Sequence, residues 1–254
     1  MRRGAIAVID ALGFAGIWRG KTPEEEAAIF NRLVRVRSSV ETFAEAYKQK
    51  LNLDPRSVLF RSFSDTVFLG VLEDPKVGMS GAALGCWCVL TLSSLVSVFV
   101  KLAALFDGPP LIYRGALAFG EYENHEDFWM GPAVDEAARA ERLAEAAVVW
   151  LCPSALAETQ IHTEGMSREE TARDLQRRGE PLIRDYDVPL KGGRRFRTHV
   201  VNPFEYADDR DSLRDTVLRY FDLGAGLDVE IKRQNTSAFL SVAIAKPRRV
   251  EPVQ

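Results

Sequence analysis

The amino-acid sequence predicts an α+β fold in which helices pack on a mixed sheet, and three observations lead to it. A continuous apolar run at 5–9 has the length and composition of a central strand. Two apolar segments within 57–70 flank a small polar centre, as in a β-hairpin. A strand at 111–119 precedes a polar loop and a helix with apolar residues at helical spacing. With the remaining segments, the order becomes β-α-β-β-α-β-α-β with a terminal hairpin, which is typical of this fold class.

Composition limits the kinds of protein that the chain can be. Its 254 residues could form one large domain or two small ones, and a hydrophobic fraction of 46% is ample for a buried core. The net charge of −3 argues against a protein built to bind nucleic acid. Three cysteines without metal-like spacing, and a beginning that does not suit a secretory signal, indicate a cytoplasmic protein.

The first predicted strand ends at Asp10, and a carboxylate at the end of a strand lies where active sites collect. Residues 11–14 then turn the chain. Thr22 is a helix cap followed by Pro23 and three glutamates, so we expect a helix that continues to about Lys50.

The predicted hairpin has Ser64 and Asp65 at or near its tip. An aspartate in a turn often bonds only to the local backbone, so a structural role for Asp65 stays open at this point.

The segment 77–100 contains no charged residue, and it is long enough to span a membrane. A helix buried on both sides in a soluble domain would have the same composition. We expect the buried helix, extending to about 106, and no stable membrane contact. A membrane-anchored form is the alternative.

The helix after the 111–119 strand carries Asp135 and Arg139, which are four residues apart and share one face. The simplest interpretation of the two is an ion pair within the helix. Glycine and proline at 131–132 mark the beginning of this helix.

The rest of the chain predicts a short buried strand at 147–152, a charged irregular region at 160–185, and two strands at 187–201 joined by a basic, glycine-rich turn. An amphipathic helix at 210–221 and an apolar piece at 236–245 follow. We expect a catalytic domain at 1–205 and a C-terminal helical extension at 206–254. The sequence contains neither a GxxxxGK[ST] loop nor a GxGxxG after a strand.

Five motifs, in this order, resemble those of class III nucleotidyl cyclases, the family of adenylate and guanylate cyclase catalytic domains. The sequence Asp-Ala-Leu-Gly-Phe at 10–14 resembles the first metal motif of the family, and Phe-Ser-Asp-Thr at 63–66 resembles the second. Residues 114–120 resemble its middle strand, 131–139 its transition-state helix, and 190–192 its phosphate-contacting lysine turn. The resemblance implies a ferredoxin-like fold with a mainly antiparallel sheet.

The resemblance also implies cyclisation of a nucleoside triphosphate, in which the ribose 3′-oxygen attacks the α-phosphorus and pyrophosphate leaves. Two divalent cations about 4 Å apart suit this reaction. Oxygen ligands favour Mg²⁺ or Mn²⁺. The ligands implied are the carboxylates of Asp10 and Asp65 and the backbone carbonyl of Ala11.

By the same resemblance, Arg139 stabilises the transition state and Lys191 holds the outer phosphates. Arg194 and Arg195 are either helpers of Lys191 or part of a solvated hairpin tip. Asp135 stands where the family usually has asparagine. It could point away, bond to the ribose or pair with Arg139.

The two positions that read the base in the family hold Arg61 and Phe128 here, so neither purine-reading pair of the family is present. An arginine can donate to the carbonyl of uracil or cytosine, and an aromatic ring can stack on the base. The alternative is that Phe128 and Trp129 simply pack under the loop.

The chain therefore resembles the pyrimidine cyclases of bacterial anti-phage (Pycsar) signalling, which convert UTP or CTP to the 3′,5′-cyclic monophosphate and so activate a separate effector. The family pattern implies a homodimer with shared sites, in which Asp10 and Asp65 of one chain meet Arg139 of the other. An adenylate or guanylate cyclase is the alternative enzyme. A non-catalytic, cyclase-like nucleotide-binding module is the alternative of another class.

Overall fold

The computed structural model describes residues 1–12, 21–79, 81–105, 111–125, 128–165, 182–204, 209–224 and 226–244. Within these residues the strands are β1 (Arg2–Ala11), β2 (Val58–Phe63), β3 (Thr66–Leu72), β4 (Tyr113–His125), β5 (Phe128–Met130), β6 (Val149–Leu151), β7 (Ile183–Leu190) and β8 (Arg194–Val201). The helices are α1 (Pro23–Leu51), α2 (Gly81–Leu105), α3 (Pro132–Glu141), α4 (Pro153–Gly165), α5 (Arg210–Tyr220) and α6 (Leu227–Ile244). The predicted α+β fold class is confirmed.

The sheet has the strand order β2-β3-β1-β4-β6-β8-β7, and β5 pairs with β4 outside this path. Only β4 and β6 are parallel, so the sheet is mainly antiparallel as predicted. Strand β1 lies in the middle and is buried on both faces. This burial explains why its central residues are continuously apolar rather than alternating.

The side chains of β1 alternate between two hydrophobic cores on opposite faces of the sheet. Ala7 and Ile9 belong to the core that helices α1, α2 and α4 cover. Ile6 and Val8 belong to the core that α3, α5 and α6 cover. Because the alternation has a period of two, Asp10 lies on the same face as Val8 and therefore on the face of α3.

Helix α1 begins as the sequence predicts. The side chain of Thr22 accepts the N–H of Glu25, and the carboxylate of Glu25 accepts the N–H of Thr22, which is a capping box. The helix ends at Asn52, whose left-handed conformation has a φ of 51°.

Helix α2 is the segment for which the sequence leaves a membrane-spanning alternative. Among the described residues, it alone is long and apolar enough to cross a membrane by length and composition. In the fold, 67% of its most apolar window is buried, and the helix packs against α1, α4, β1 and β3. This burial is what the core-helix interpretation requires.

The C-terminal helices belong to the same core as α3. Leu213 of α5 and Phe239 of α6 are almost fully buried in it. Helix α6 begins at Leu227, so the apolar piece predicted at 236–245 is only part of it. The sequence did not predict the first turns of the helix because they are polar and give no apolar spacing. The predicted boundary at 205/206, between the catalytic domain and the C-terminal extension, falls within 205–208, outside the described residues, and stays a prediction. The C-terminal tail after 244 also lies outside the described residues.

Candidate active site

Asp10 occupies a position at the end of β1 between strands β3 and β4. Its register partners are Thr66 on β3 and Arg114 on β4. The hydroxyl of Thr66 donates to Oδ1 of Asp10 at 3.2 Å, and Nη2 of Arg114 lies 3.9 Å from Oδ2. The carboxylate is thus held from both neighbouring strands.

Asp65 lies in the two-residue turn between β2 and β3, as predicted. Ser64 in this turn has a φ of 55°, a conformation uncommon for residues other than glycine. The N–H of Ala11 donates to the backbone carbonyl of Asp65 at 3.3 Å. Because the N–H and C=O of a strand residue point to the same side, the carbonyl of Ala11 also faces this turn. The structure therefore brings Asp10, Ala11 and Asp65 together, whereas Gly13 and Phe14 of the same motif lie outside the described residues.

The electrostatics at this end of the sheet favour a cation. Burial raises the pKa of Asp10, and the nearby charge of Asp65 raises it further, against the opposing effects of Thr66 and Arg114. Two carboxylates and a carbonyl are oxygen donors of the kind that Mg²⁺ or Mn²⁺ prefers. In the described part of the chain, no group of three or more His, Cys, Asp or Glu side chains could hold a metal, so the candidate ligands from the chain are two carboxylates and the backbone carbonyl of Ala11.

Arg114 and Glu141 form a buried ion pair beside Asp10 that the sequence reasoning missed. Nε of Arg114 donates to Oε1 of Glu141 at 3.2 Å, and Nη1 donates to the carbonyl of Ala144 at 3.3 Å. Glu141 is only 5% exposed, and burial raises the pKa of its carboxyl. A signal existed, because Glu141 falls on the helical spacing of the buried residues Val134 and Ala137.

Helix α3 presents both Asp135 and Arg139 to solvent, while its alanine-rich face is buried. Nε of Arg139 donates to the backbone carbonyl of Asp135 at 3.0 Å. The predicted alternative of an intrahelical ion pair is wrong for the described residues, since this contact goes to the main chain and not to the carboxylate. The guanidinium of Arg139 is anchored at Nε and exposed.

Lys191 lies in a tight turn, Lys191–Gly193, between β7 and β8. Its N–H donates to the carbonyl of Leu143 at 2.9 Å, which fastens the turn to the segment after α3. Arg194 and Arg195 bond to backbone carbonyls of the same hairpin and are exposed. The lysine turn, the end of α3 and Arg114 therefore meet at one end of the sheet.

Arg61 and Phe128 are each a backbone neighbour of one member of an aromatic pair, Phe68 and Trp129. Arg61 on β2 is the register partner of Phe68 on β3, whose ring stacks on that of Trp129 with centroids 5.8 Å apart. Trp129 is packed in this way, but Phe128 is 70% exposed, so the packing alternative holds for Trp129 and is wrong for Phe128. Phe128 pairs with His125 near the far end of β4.

No family model matches the sequence, and no curated protein matches it. The solved structures that it resembles are class III adenylate and guanylate cyclase catalytic domains. The guanylate cyclase domain of RhGC from Catenaria anguillulae, in complex with GTP, has 14% identity and a TM-score of 0.46, over 79% of this chain and 96% of that one.

Two further structures also cover 79% of this chain at 14% identity. One is the non-canonical dimeric guanylyl cyclase domain of the RhoGC fusion protein from Blastocladiella emersonii, with a TM-score of 0.44 and 96% of its chain covered. The other is the adenylyl cyclase CyaB from P. aeruginosa, with a TM-score of 0.42 and 93% covered. The chain is thus similar in fold to class III cyclase domains, at TM-scores below 0.5, and its activity has to rest on its own residues.

Proposed function

We propose that this protein is a nucleotidyl cyclase that converts UTP or CTP to the 3′,5′-cyclic monophosphate and pyrophosphate. One observation carries the proposal. Asp10 and Asp65, far apart in sequence, lie at one end of the sheet, where the N–H of Ala11 donates to the backbone carbonyl of Asp65 and the charge of Asp65 raises the pKa of Asp10.

Asp10, Asp65 and the carbonyl of Ala11 would hold two divalent cations, Mg²⁺ or Mn²⁺. Bound there, the cations would activate the 3′-hydroxyl for attack and neutralise the departing pyrophosphate. The chain itself supplies the orientation of Asp10, because Thr66 and Arg114 fix its carboxylate from the two flanking strands.

Arg139 and Lys191 are proposed to neutralise the phosphates. The exposed guanidinium of Arg139 is anchored to the backbone of α3, so it can meet the charge that develops on the transferred phosphorus with little loss of side-chain freedom. Lys191 is exposed on a turn fastened to the segment after α3. Asp135 is proposed to bond to a ribose hydroxyl, since its carboxylate is exposed and Arg139 is tied to its carbonyl instead.

The active enzyme is proposed to be a homodimer with two shared sites. Phe128 pairs with His125, eleven residues beyond Arg114 on β4, whereas Asp10 pairs with Arg114 itself. Along an extended strand this separation is at most about 36 Å, at about 3.3 Å per residue. In a two-fold dimer, the metal residues of one chain can face the base-contacting residues of the other, and the two sites are then equivalent.

The preference for a pyrimidine rests on Arg61 and on the exposed ring of Phe128. Arg61 offers hydrogen-bond donors to a base carbonyl, and Phe128 offers a stacking face. The cyclic product is proposed to be a messenger in anti-phage defence that acts on a separate effector in the cytoplasm.

Turnover of the four ribonucleotides tests this proposal. Purified protein is incubated with Mn²⁺ and ATP, GTP, UTP or CTP in turn, and the cyclic product is identified by mass spectrometry. Cyclic UMP or CMP is the expected product. Conversion of ATP or GTP alone would show an adenylate or guanylate cyclase. Nucleotide binding without any product would show the non-catalytic module.

A further inference from the structure

Helices α5 and α6 contact the candidate active site through hydrogen bonds made by residues that lie outside the five motifs. Tyr220, the last residue of α5, donates its hydroxyl to the carbonyl of Leu12. On α6, Nδ2 of Asn235 donates to the carbonyl of Glu145 at 3.0 Å, and Oγ1 of Thr236 accepts the N–H of Ala147 at 2.9 Å. The C-terminal helices thus touch the end of β1 and the segment after α3.

The contact from Tyr220 fixes the backbone next to the proposed metal ligands. Leu12 already donates its own N–H to Ile112 at 2.9 Å, and Ala11 donates its N–H to Asp65. With the Tyr220 hydroxyl on the carbonyl of Leu12, the peptide groups on both sides of Leu12 are held. Burial raises the pKa of Tyr220 to about 12, so its hydroxyl keeps its proton and remains a donor.

The contacts from α6 fix the segment 142–148, to which the Lys191 turn and the side chain of Arg114 are fastened. The carbonyl of Leu143 accepts the N–H of Lys191, and the carbonyl of Ala144 accepts Nη1 of Arg114. Thr236 is fully buried, so its hydroxyl is a fixed acceptor for the N–H of Ala147. A shift of this segment would move the lysine turn and Arg114 together.

We infer that α5 and α6 form a positioning element for the active site. Tyr220 positions the backbone beside the proposed metal ligands. Thr236 and Asn235 position the segment to which the Lys191 turn is bonded. The inference rests on the proposed function for its kinetic consequences, but its effect on the backbone can be measured without substrate. A contribution to stability alone would reduce the amount of folded enzyme and so lower turnover, with the nucleotide KM and the Mn²⁺ requirement unchanged, whereas a positioning role changes one of these two constants.

The kinetic test compares Tyr220→Phe with Thr236→Val in the full-length protein. Loss of one hydrogen bond should raise the Mn²⁺ concentration for half-maximal turnover by about three- to tenfold in Tyr220→Phe, with the nucleotide KM unchanged. In Thr236→Val the nucleotide KM should rise by a similar factor of about three to ten, with the Mn²⁺ requirement unchanged. Thr236→Ser keeps the hydroxyl and should restore the wild-type KM.

Tyr47→Phe is the matched control, because it deletes a tyrosine hydroxyl that contacts Thr91 on the opposite side of the sheet. It should change neither constant. Amide hydrogen exchange, measured without metal or nucleotide, is the second readout. Ala11 and Leu12 should exchange faster in Tyr220→Phe, and Ala147 should exchange faster in Thr236→Val. If Thr236→Val does not fold, Asn235→Ala takes its place, with Glu145 as the monitored segment.

The inference is overturned if Tyr220→Phe matches Tyr47→Phe in the exchange of Ala11 and Leu12. It is also overturned if both α5 and α6 variants lower turnover without the separation of metal requirement from KM. A wild-type protein that cyclises no nucleotide would refute the proposed function instead, and the exchange measurement would then decide the inference alone.

Discussion

Asp10 depends on three residues from two other parts of the chain. Thr66 and Arg114 hold its carboxylate, and Asp65 adds a second negative charge close by. Burial and like charge both disfavour the ionised form of Asp10 in the absence of a cation. The surroundings of Asp10 therefore favour the binding of a cation and lower the stability of the metal-free protein.

Asp10→Asn tests this arrangement. We expect turnover to fall by roughly a thousandfold, since a metal ligand is lost. The melting temperature without metal should stay equal or rise, because a buried charge beside Asp65 is removed. Differential scanning calorimetry with and without Mn²⁺ checks this, and only the wild type should be stabilised by the ion. A variant with full turnover would rule out Asp10 as a metal ligand.

Glu141 connects α3 to the middle strand through Arg114. Replacing it by methionine should lower the free energy of unfolding by about 2 kcal/mol, because Arg114 keeps its charge but loses its nearest carboxylate. Urea denaturation measures this change. Arg142→Ala is the control: Arg142 is 80% exposed and lies 3.6 Å from the same carboxylate, so its loss should cost less than about 0.5 kcal/mol. Equal losses in both variants would contradict a structural role for the Arg114 pair.

At the scale of elements, the beginning of α3 depends on Gly131. Its φ is 131°, and a Cβ there would lie 2.7 Å from the carbonyl oxygen of Glu121. Because Gly131 has no side chain, α3 can begin in direct contact with β4. This contact sets the direction of α3, and therefore the position of Arg139 on it.

Gly131→Ala should therefore destabilise the protein by about 2–4 kcal/mol and reduce turnover, because both strain and a backbone clash oppose it. Gly226→Ala is the matched control, since Gly226 also has a positive φ, 118°, but a Cβ there meets nothing within 4 Å. The control should lose only about 1 kcal/mol and keep its turnover. Thermal unfolding and product formation of both variants separate strain from clash, and equal effects would argue against the clash.

At the scale of the whole molecule, the question is whether each active site is shared between two chains. Asp10, proposed to bind metal, and Phe128, proposed to stack on the base, pair with opposite ends of β4 in one chain. Mixing Asp10→Asn with Arg139→Ala chains answers it. Each variant alone should be inactive. After equilibration of equal amounts, half of the dimers carry both variants and each has one intact site of two, so about a quarter of wild-type turnover should return. No recovery, despite demonstrated exchange of subunits, would indicate a site within one chain.

Much of the fold could be predicted because its signals are local. The apolar run of β1, the turn at Ser64 and the cap at Thr22 all lie within a few residues of the structure that they specify. The long polar half of α6 could not be predicted, since it is helical mainly through its continuation into the buried end of the helix at Phe239.

The sequence by itself determined the class of fold and the acidic and basic residues that end its strands and turns, because periodicity, capping and turn chemistry are properties of neighbouring residues. Only the tertiary structure decided that Arg114 pairs with Glu141, that Phe128 stays exposed while Trp129 packs, and that Tyr220 reaches Leu12. These contacts join distant parts of the chain. They depend on strand register and helix packing, which the hydrophobic pattern of a single segment does not specify.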